Sequence, residues 1–175
     1  MRCPLRGNQE GGVRVSQNIL VVYKKNFEDV HDEALDIVKN TLDGISNNIE
    51  IMVNYSAREK VSREDFIGRD LVVVLGGDGT LTSIAHSVDE NTPVMGVNSH
   101  PRDTDNDGSY GFYMGSDPIN FREDILKALS KEAIVNILPR LQAEISTTSG
   151  NVIRSDPALN DLLLANTHQY QPSKY

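Results

Sequence analysis

At 175 residues with 38% hydrophobic content, the chain is long enough to bury one core and to begin a second domain. Its formal net charge of −8 argues against sequence-independent nucleic-acid binding, which needs clustered Lys and Arg. The longest aliphatic run, Leu71–Leu75, is far short of the roughly 20 residues that a membrane-crossing helix requires, so neither nucleic acid nor a membrane is expected as a partner.

Residues 1–17 carry Arg2, Arg6 and Arg14 beside Gly7, Gly11 and Gly12, with no apolar run of signal-peptide length, and read as a flexible tail. A transit peptide, and with it a mitochondrial location, is the functional alternative. The single cysteine, Cys3, cannot close an internal disulfide, which fits a reducing compartment such as the cytoplasm.

From Asn18 the chain alternates strand and helix signals. Ile19–Tyr23 reads as a buried strand, and Val30, Ala34, Ile37 and Val38 fall on one helical face that Gly44 closes. Ile49, Ile51 and Val53 alternate as a second strand, and 60–68 forms a polar connection to the apolar run at Leu71. A helix over Thr80–Val88, a strand over Val94–Asn98, a short strand over Tyr110–Met114 and a helix with Phe121, Ile125, Leu126 and Leu129 in register follow. Asn120 and Glu123 suit a capping box for that last helix. Such alternation predicts an α/β, Rossmann-like nucleotide domain over 18–132, with a mostly parallel sheet and ligands at the carboxyl ends of its strands.

Beyond Lys131 the texture becomes all-β. Ile134–Leu138, Leu141–Ser146, Asn151–Arg154 and Leu159–Ala165 are strand-like, and Thr147–Gly150 reads as a hairpin turn. Residues 133–175 therefore read as an all-β region.

The chemistry is concentrated where the apolar run ends, at Gly76-Gly77-Asp78-Gly79-Thr80. Five aliphatic residues suit a parallel strand buried on both faces. Glycine permits φ > 0 and close backbone approach, and the following helix directs free N–H groups at the turn, so the turn suits a phosphate. A carboxylate in such a place is unusual. It fits either a divalent cation between Asp78 and phosphate, or Asp78 as general base toward a hydroxyl nucleophile. Both point to phosphoryl transfer, whereas a helix cap by Asp78 would need no ligand.

The Gly-Gly-Asp-Gly-Thr sequence resembles the signature of NAD kinases, shared with diacylglycerol and sphingosine kinases and, with Ser in the last place, phosphofructokinases. Two further segments narrow the resemblance to NAD kinases. Pro93–Asn98 followed by Tyr110-Gly111-Phe112 is similar to that family's Gly-Val-Asn and Gly-Phe pattern, and Ala158-Leu159-Asn160-Asp161 resembles its Ala-Leu-Asn-Glu segment. Ser99-His100-Pro101 and Asp161 depart from the common pattern in the manner of the divergent mitochondrial and plant NADH-kinase-type branch.

The resemblance implies transfer of a phosphoryl group from ATP or a similar donor, with Mg2+, to the 2′-hydroxyl of the adenosine ribose of NAD or NADH. In that reading Asp78 is the catalytic base, the Gly76, Gly77 and Gly79 amides with Thr80 steady the phosphates, Asn98 fixes the loop or ribose, and Asn160 and Asp161 bind the dinucleotide. The family's second, carboxyl-terminal domain is all-β and supplies oligomer interfaces, so the resemblance also implies that 133–175 holds the opening strands of an incomplete all-β substrate domain, and a homo-oligomer is among its implications. The competing readings are a non-catalytic nucleotide-binding fragment of the family and, behind it, a phosphofructokinase-like or lipid kinase.

Asp103–Gly108 matches the first half of a calcium-binding EF-hand loop, but Met114 stands where the bidentate Glu belongs, so a solvated acidic loop is expected. His31, His86, His100 and His168 lack metal-ligand spacing and read mostly as surface residues. His100, with Arg102 and Tyr110, is singled out because these residues follow a strand end where ligands bind.

Overall fold

The computed structural model describes residues 16–25, 29–102 and 107–163. Its centre is a four-stranded, wholly parallel sheet formed by β1 (Gln17–Tyr23), β2 (Ile51–Ala57), β3 (Leu71–Gly76) and β4 (Val94–Asn98), in the order β2-β1-β3-β4. The inner strands β1 and β3 show the pattern that burial on both faces demands. Every residue of β3 is buried, and Ile19–Val22 of β1 are at most 1% exposed.

Side chains alternate across these strands, so the core divides into two layers. Ile19, Val21, Leu71, Val73 and Leu75 face α1 (Asp29–Ser46) and α3 (Phe121–Leu129), meeting Ala34, Leu35, Val38, Leu42, Phe121 and Ile125. Leu20, Val22, Val72 and Val74 face the other way, against Phe66 and against Leu81, Ile84 and Val88 of the segment containing α2 (Asp78–Ile84). The sheet with helical elements on both faces is the α/β architecture expected from the alternating pattern.

Several local expectations are corrected. Helix α1 runs through Gly44 to Ser46 because Leu42 and Ile45 continue its buried stripe, outweighing a glycine penalty of about 1 kcal/mol. Ile37 lies off that stripe and is 44% exposed. The polar connection 60–68 contains a 3-10 helix, Arg63–Phe66, that plunges Phe66 into the second layer. Its start is fixed by a reciprocal Ser62–Asp65 capping box. Helix α2 begins at Asp78 and stops at Ile84, although Ala85 and Val88 stay buried.

Tyr110–Met114 is a turn, not a strand, since Gly111 takes φ +67°, a value that breaks an extended run. At the start of α3, Asn120 is αR and makes no side-chain cap. Asp117 accepts the Ile119 and Asn120 amides instead, at 2.8 and 2.9 Å, while Glu123 is drawn to Lys127 at 2.6 Å.

After residue 133 the only regular pairing among the described residues is the antiparallel hairpin β5 (Glu144–Ser146) and β6 (Val152–Arg154), turning at Thr147–Gly150 as expected. Ile134–Leu138 forms no strand, nor does 159–163, and Ala165 lies outside the described residues. Leu141 and Ala158 share an isolated bridge. Arg140 ties this region to the α/β layer by donating to the Ala85 and Val88 carbonyls at 2.7 and 2.8 Å. No helix among the described residues is long and apolar enough to cross a membrane.

Phe66 is 1% exposed in the second layer. Phe66→Ala is expected to lower the urea-unfolding free energy by about 3–5 kcal/mol, and Phe66→Leu by less than half of that. A loss below about 1 kcal/mol for the alanine variant would contradict the packing described.

Candidate functional site

Strand order reverses between β1 and β3, because the chain leaves β1 toward β2 on one side and leaves β3 toward β4 on the other. Crevices form outside the carboxyl ends of strands at such a switch point. The glycine turn lies there, with Gly76 in register with Asn98 across β3 and β4.

None of Gly76, Gly77 and Gly79 takes positive φ. Their service is steric, and it is not the same at each position. A Cβ on Gly76 would lie 2.7 Å from Cβ of Thr80, and one on Gly77 would lie 2.8 Å from Oγ of Ser109. Around Gly79 there is open space within 4 Å. Gly76 and Gly77 therefore let the protein close on itself, while Gly79 faces the opening. Thr80 is 2% exposed and turned toward Gly76, so it braces the turn from inside and does not reach outward.

Asp78 occupies the first position of α2, whose N-cap is Gly77. Its carboxylate does not cap that helix. Oδ1 accepts the Tyr113 N–H at 2.8 Å, and Oδ2 accepts a long hydrogen bond from the Ser109 hydroxyl at 3.5 Å. Two residues of the loop after β4 thus hold a partly exposed carboxylate in one orientation. The amides of Asp78 and Gly79, in the first turn of α2, have no acceptor within the helix.

Asn98 is 6% exposed and organises the same loop. Its Nδ2 donates to the Ser109 carbonyl at 3.0 Å and its Oδ1 accepts the His100 N–H at 3.3 Å. Gly111 packs on this amide, since a Cβ there would sit 2.6 Å from Nδ2. The next residue, Ser99, donates its N–H to the Gly76 carbonyl at 3.0 Å and pairs its hydroxyl with His31 Nδ1 at 2.7 Å. His31 is only 7% exposed, against the surface placement expected for it, and its ring meets that of His100 edge-on at 6.2 Å. His86 is exposed as expected, and His168 lies outside the described residues.

The structure thus brings Gly76, Gly77, Asp78, Gly79, Thr80 and Asn98 together, whereas it hydrogen-bonds neither Asn160 nor Asp161 to them. Both are exposed. Leu159 beside them does pack against the α2 layer. Sequence reading missed Ser109 and Tyr113, and for Tyr113 no signal existed, because its contribution is a backbone amide that any residue but proline provides. Of the acidic loop, 103–106 lies outside the described residues, and Asp107 accepts the Gly108 N–H at 2.9 Å.

A cleft of about 330 Å³ is lined by Asn98, Pro101, Tyr110, Gly111 and the acidic Asp117, Glu123 and Asp124. A larger hollow of about 420 Å³, lined by Gln17, Ile49, Leu126 and Leu129, lies at the start of β1, the opposite end of the strand from the glycine turn. Among the described residues no cluster of three or more His, Cys, Asp or Glu side chains could hold a metal.

Gly77 and Ser109 touch, so their substitutions should not add. Gly77→Ala is expected to destabilise the chain by about 1–3 kcal/mol, and a double-mutant cycle with Ser109→Gly should show coupling of at least about 1 kcal/mol. Additivity within about 0.3 kcal/mol in urea unfolding would mean that the two residues do not meet.

A sequence profile of the ATP-NAD kinase N-terminal domain matches residues 21–133. The chain is 29% identical to an NAD kinase of Clostridium beijerinckii over 142 residues, which is 79% of this chain and 45% of that protein. It is 34% identical to an NAD kinase of Pseudomonas fluorescens over 96 residues, 54% of this chain and 29% of the relative. An NADH kinase of Arabidopsis thaliana is 53% identical over 32 residues, 18% of this chain and 10% of that protein. The fold is similar to that of an NAD kinase from Archaeoglobus fulgidus in complex with ATP, with TM-score 0.53 and 22% identity, covering 77% of this chain and 45% of the other. The chain spans less than half the length of these relatives. With that N-terminal domain matched along well over half of its sequence, the chain belongs to the ATP-NAD kinase family.

Proposed function

We propose that this chain carries the phosphotransfer site of a kinase that phosphorylates the 2′-hydroxyl of the adenosine ribose of NAD or NADH, with ATP or a similar polyphosphate as donor. The observation that carries the reading is the clasp on Asp78, whose carboxylate is held by the Tyr113 amide and the Ser109 hydroxyl beside an open Gly79. A base fixed in orientation before substrate arrives loses little freedom in the reaction. The ribose oxygen would attack the terminal phosphorus, the bond from that phosphorus to the donor's bridging oxygen would break, and the hydroxyl proton would pass to Asp78. Asn98 keeps the 109–113 clasp in place, and Thr80 and Gly76 fix the turn from behind.

Among the described residues Asp78 belongs to no cluster of three or more metal-ligating side chains, which suits Mg2+ that arrives on the donor phosphates better than a resident metal. When bound, magnesium supplies charge neutralisation at the transferring group. The short match to the Arabidopsis NADH kinase brings the reduced dinucleotide into consideration beside NAD.

A second reading, nucleotide binding without turnover, is favoured by the exposure of Asn160 and Asp161, neither of which hydrogen-bonds to the turn. Asp78→Asn separates the two, since the amide oxygen still accepts the Tyr113 N–H while the base is lost. Turnover of NAD by the purified chain with Mg-ATP is expected to fall by about 10²–10⁴-fold with NAD affinity nearly unchanged. Equal turnover in the variant would remove Asp78 from the reaction, and binding without turnover in the native chain would establish the second reading.

A further inference from the structure

We propose that Arg102 is the phosphate-binding cation of this site, presenting its guanidinium to the diphosphate or polyphosphate of a nucleotide. The inference rests on the reading of Asp78 as the centre of a nucleotide site. Arg102 lies four residues past Asn98, the last residue of β4, in the loop that builds the clasp, and its own N–H donates to the Ser109 carbonyl at 3.0 Å. The same carbonyl accepts the Asn98 amide, and the Ser109 hydroxyl donates to Asp78. One residue therefore connects Arg102 to the carboxylate.

The guanidinium is held without being used. Its carbon lies 4.0 Å over the centroid of the Tyr110 ring, and that ring is 79% exposed, a platform and not a core side chain. Nε of Arg102 is shielded from water and has no hydrogen-bond partner. A shielded charged donor left unmet is costly, and stacking fixes the plane of the fork without consuming its N–H groups. Two other cations of the chain are committed elsewhere. Lys127 pairs with Glu123, and Arg140 serves the carbonyls of Ala85 and Val88.

Charge gives the fork its purpose. The adjoining cleft, which Pro101 and Tyr110 help to line, carries Asp117, Glu123 and Asp124. A polyanion entering such surroundings needs a cation close to the reacting oxygen, and a planar guanidinium matches phosphate oxygens in pairs.

The test measures dissociation constants of NAD, ATP and adenosine for the full chain and for Arg102→Ala, with urea unfolding of both to show that the variant is folded. The expected result is about ten- to hundredfold weaker binding of NAD, of ATP or of both, with adenosine changed by less than about twofold. The ligand that weakens identifies whether Arg102 serves the dinucleotide's diphosphate or the donor's polyphosphate. Unchanged NAD and ATP affinity, or an equal loss for adenosine, overturns the role of Arg102 and leaves the Asp78 reading standing. Failure of the native chain to bind either phosphate ligand overturns both.

Discussion

The passage from β3 into α2 depends on residue 76 having no side chain. A Cβ there would press within 2.7 Å of Cβ of Thr80, a residue that is itself buried and has no room to withdraw. That close approach lets a fully buried strand end abruptly and hand over to a helix within two residues. It also leaves the Gly76 carbonyl free to accept the Ser99 N–H, which fixes the chain just beyond β4. The position of Asp78 is thus set from two sides, by the strand that precedes it and by the loop of the neighbouring strand.

That second side is what converts a turn into a candidate reaction centre. A carboxylate at the first position of a helix would ordinarily be drawn to its own helix's amides. Here Gly77 is the N-cap, and the Asp78 oxygens are engaged by Tyr113 and Ser109. Asn98, buried at the end of β4, holds the Ser109 carbonyl and so maintains the clasp. The 2.8 Å hydrogen bond from the Tyr113 amide contributes about 1.5–3 kcal/mol, as bonds to charged groups do, while the 3.5 Å Ser109 contact adds little. Gly111, with φ +67° and its Cα against the Asn98 amide, is the residue that lets the loop fold back this far.

The sheet was legible because its evidence is periodic. Leu71–Leu75 and Ile19–Val22 are continuous apolar runs, and such runs flanked by helical patterns specify buried parallel strands. The glycine turn and Asn98 were legible as motifs. What escaped reading depends on contacts distant in sequence. Phe66 looked like one apolar residue in a polar link, and only the groove left by Leu20, Val22, Val72 and Val74 makes it a core residue. Tyr110–Met114 has strand-like residues, yet its glycine conformation and its bond to Asp78 make it a turn. The cap of α3 moved to Asp117, three residues ahead of the Asn120 that the capping pattern selected. His31 gave no sign of burial, because Ser99 reaches it across 68 positions.

In the proposed function the dinucleotide meets the chain at the carboxyl ends of β3 and β4. Backbone amide NMR of the isotope-labelled chain, titrated with NAD, tests it directly. The account predicts shifts concentrated at Gly77, Asp78, Gly79, Asn98 and Tyr113. Shifts confined to Gln17, Ile49 and Leu129, around the hollow at the opposite end of β1, would contradict it.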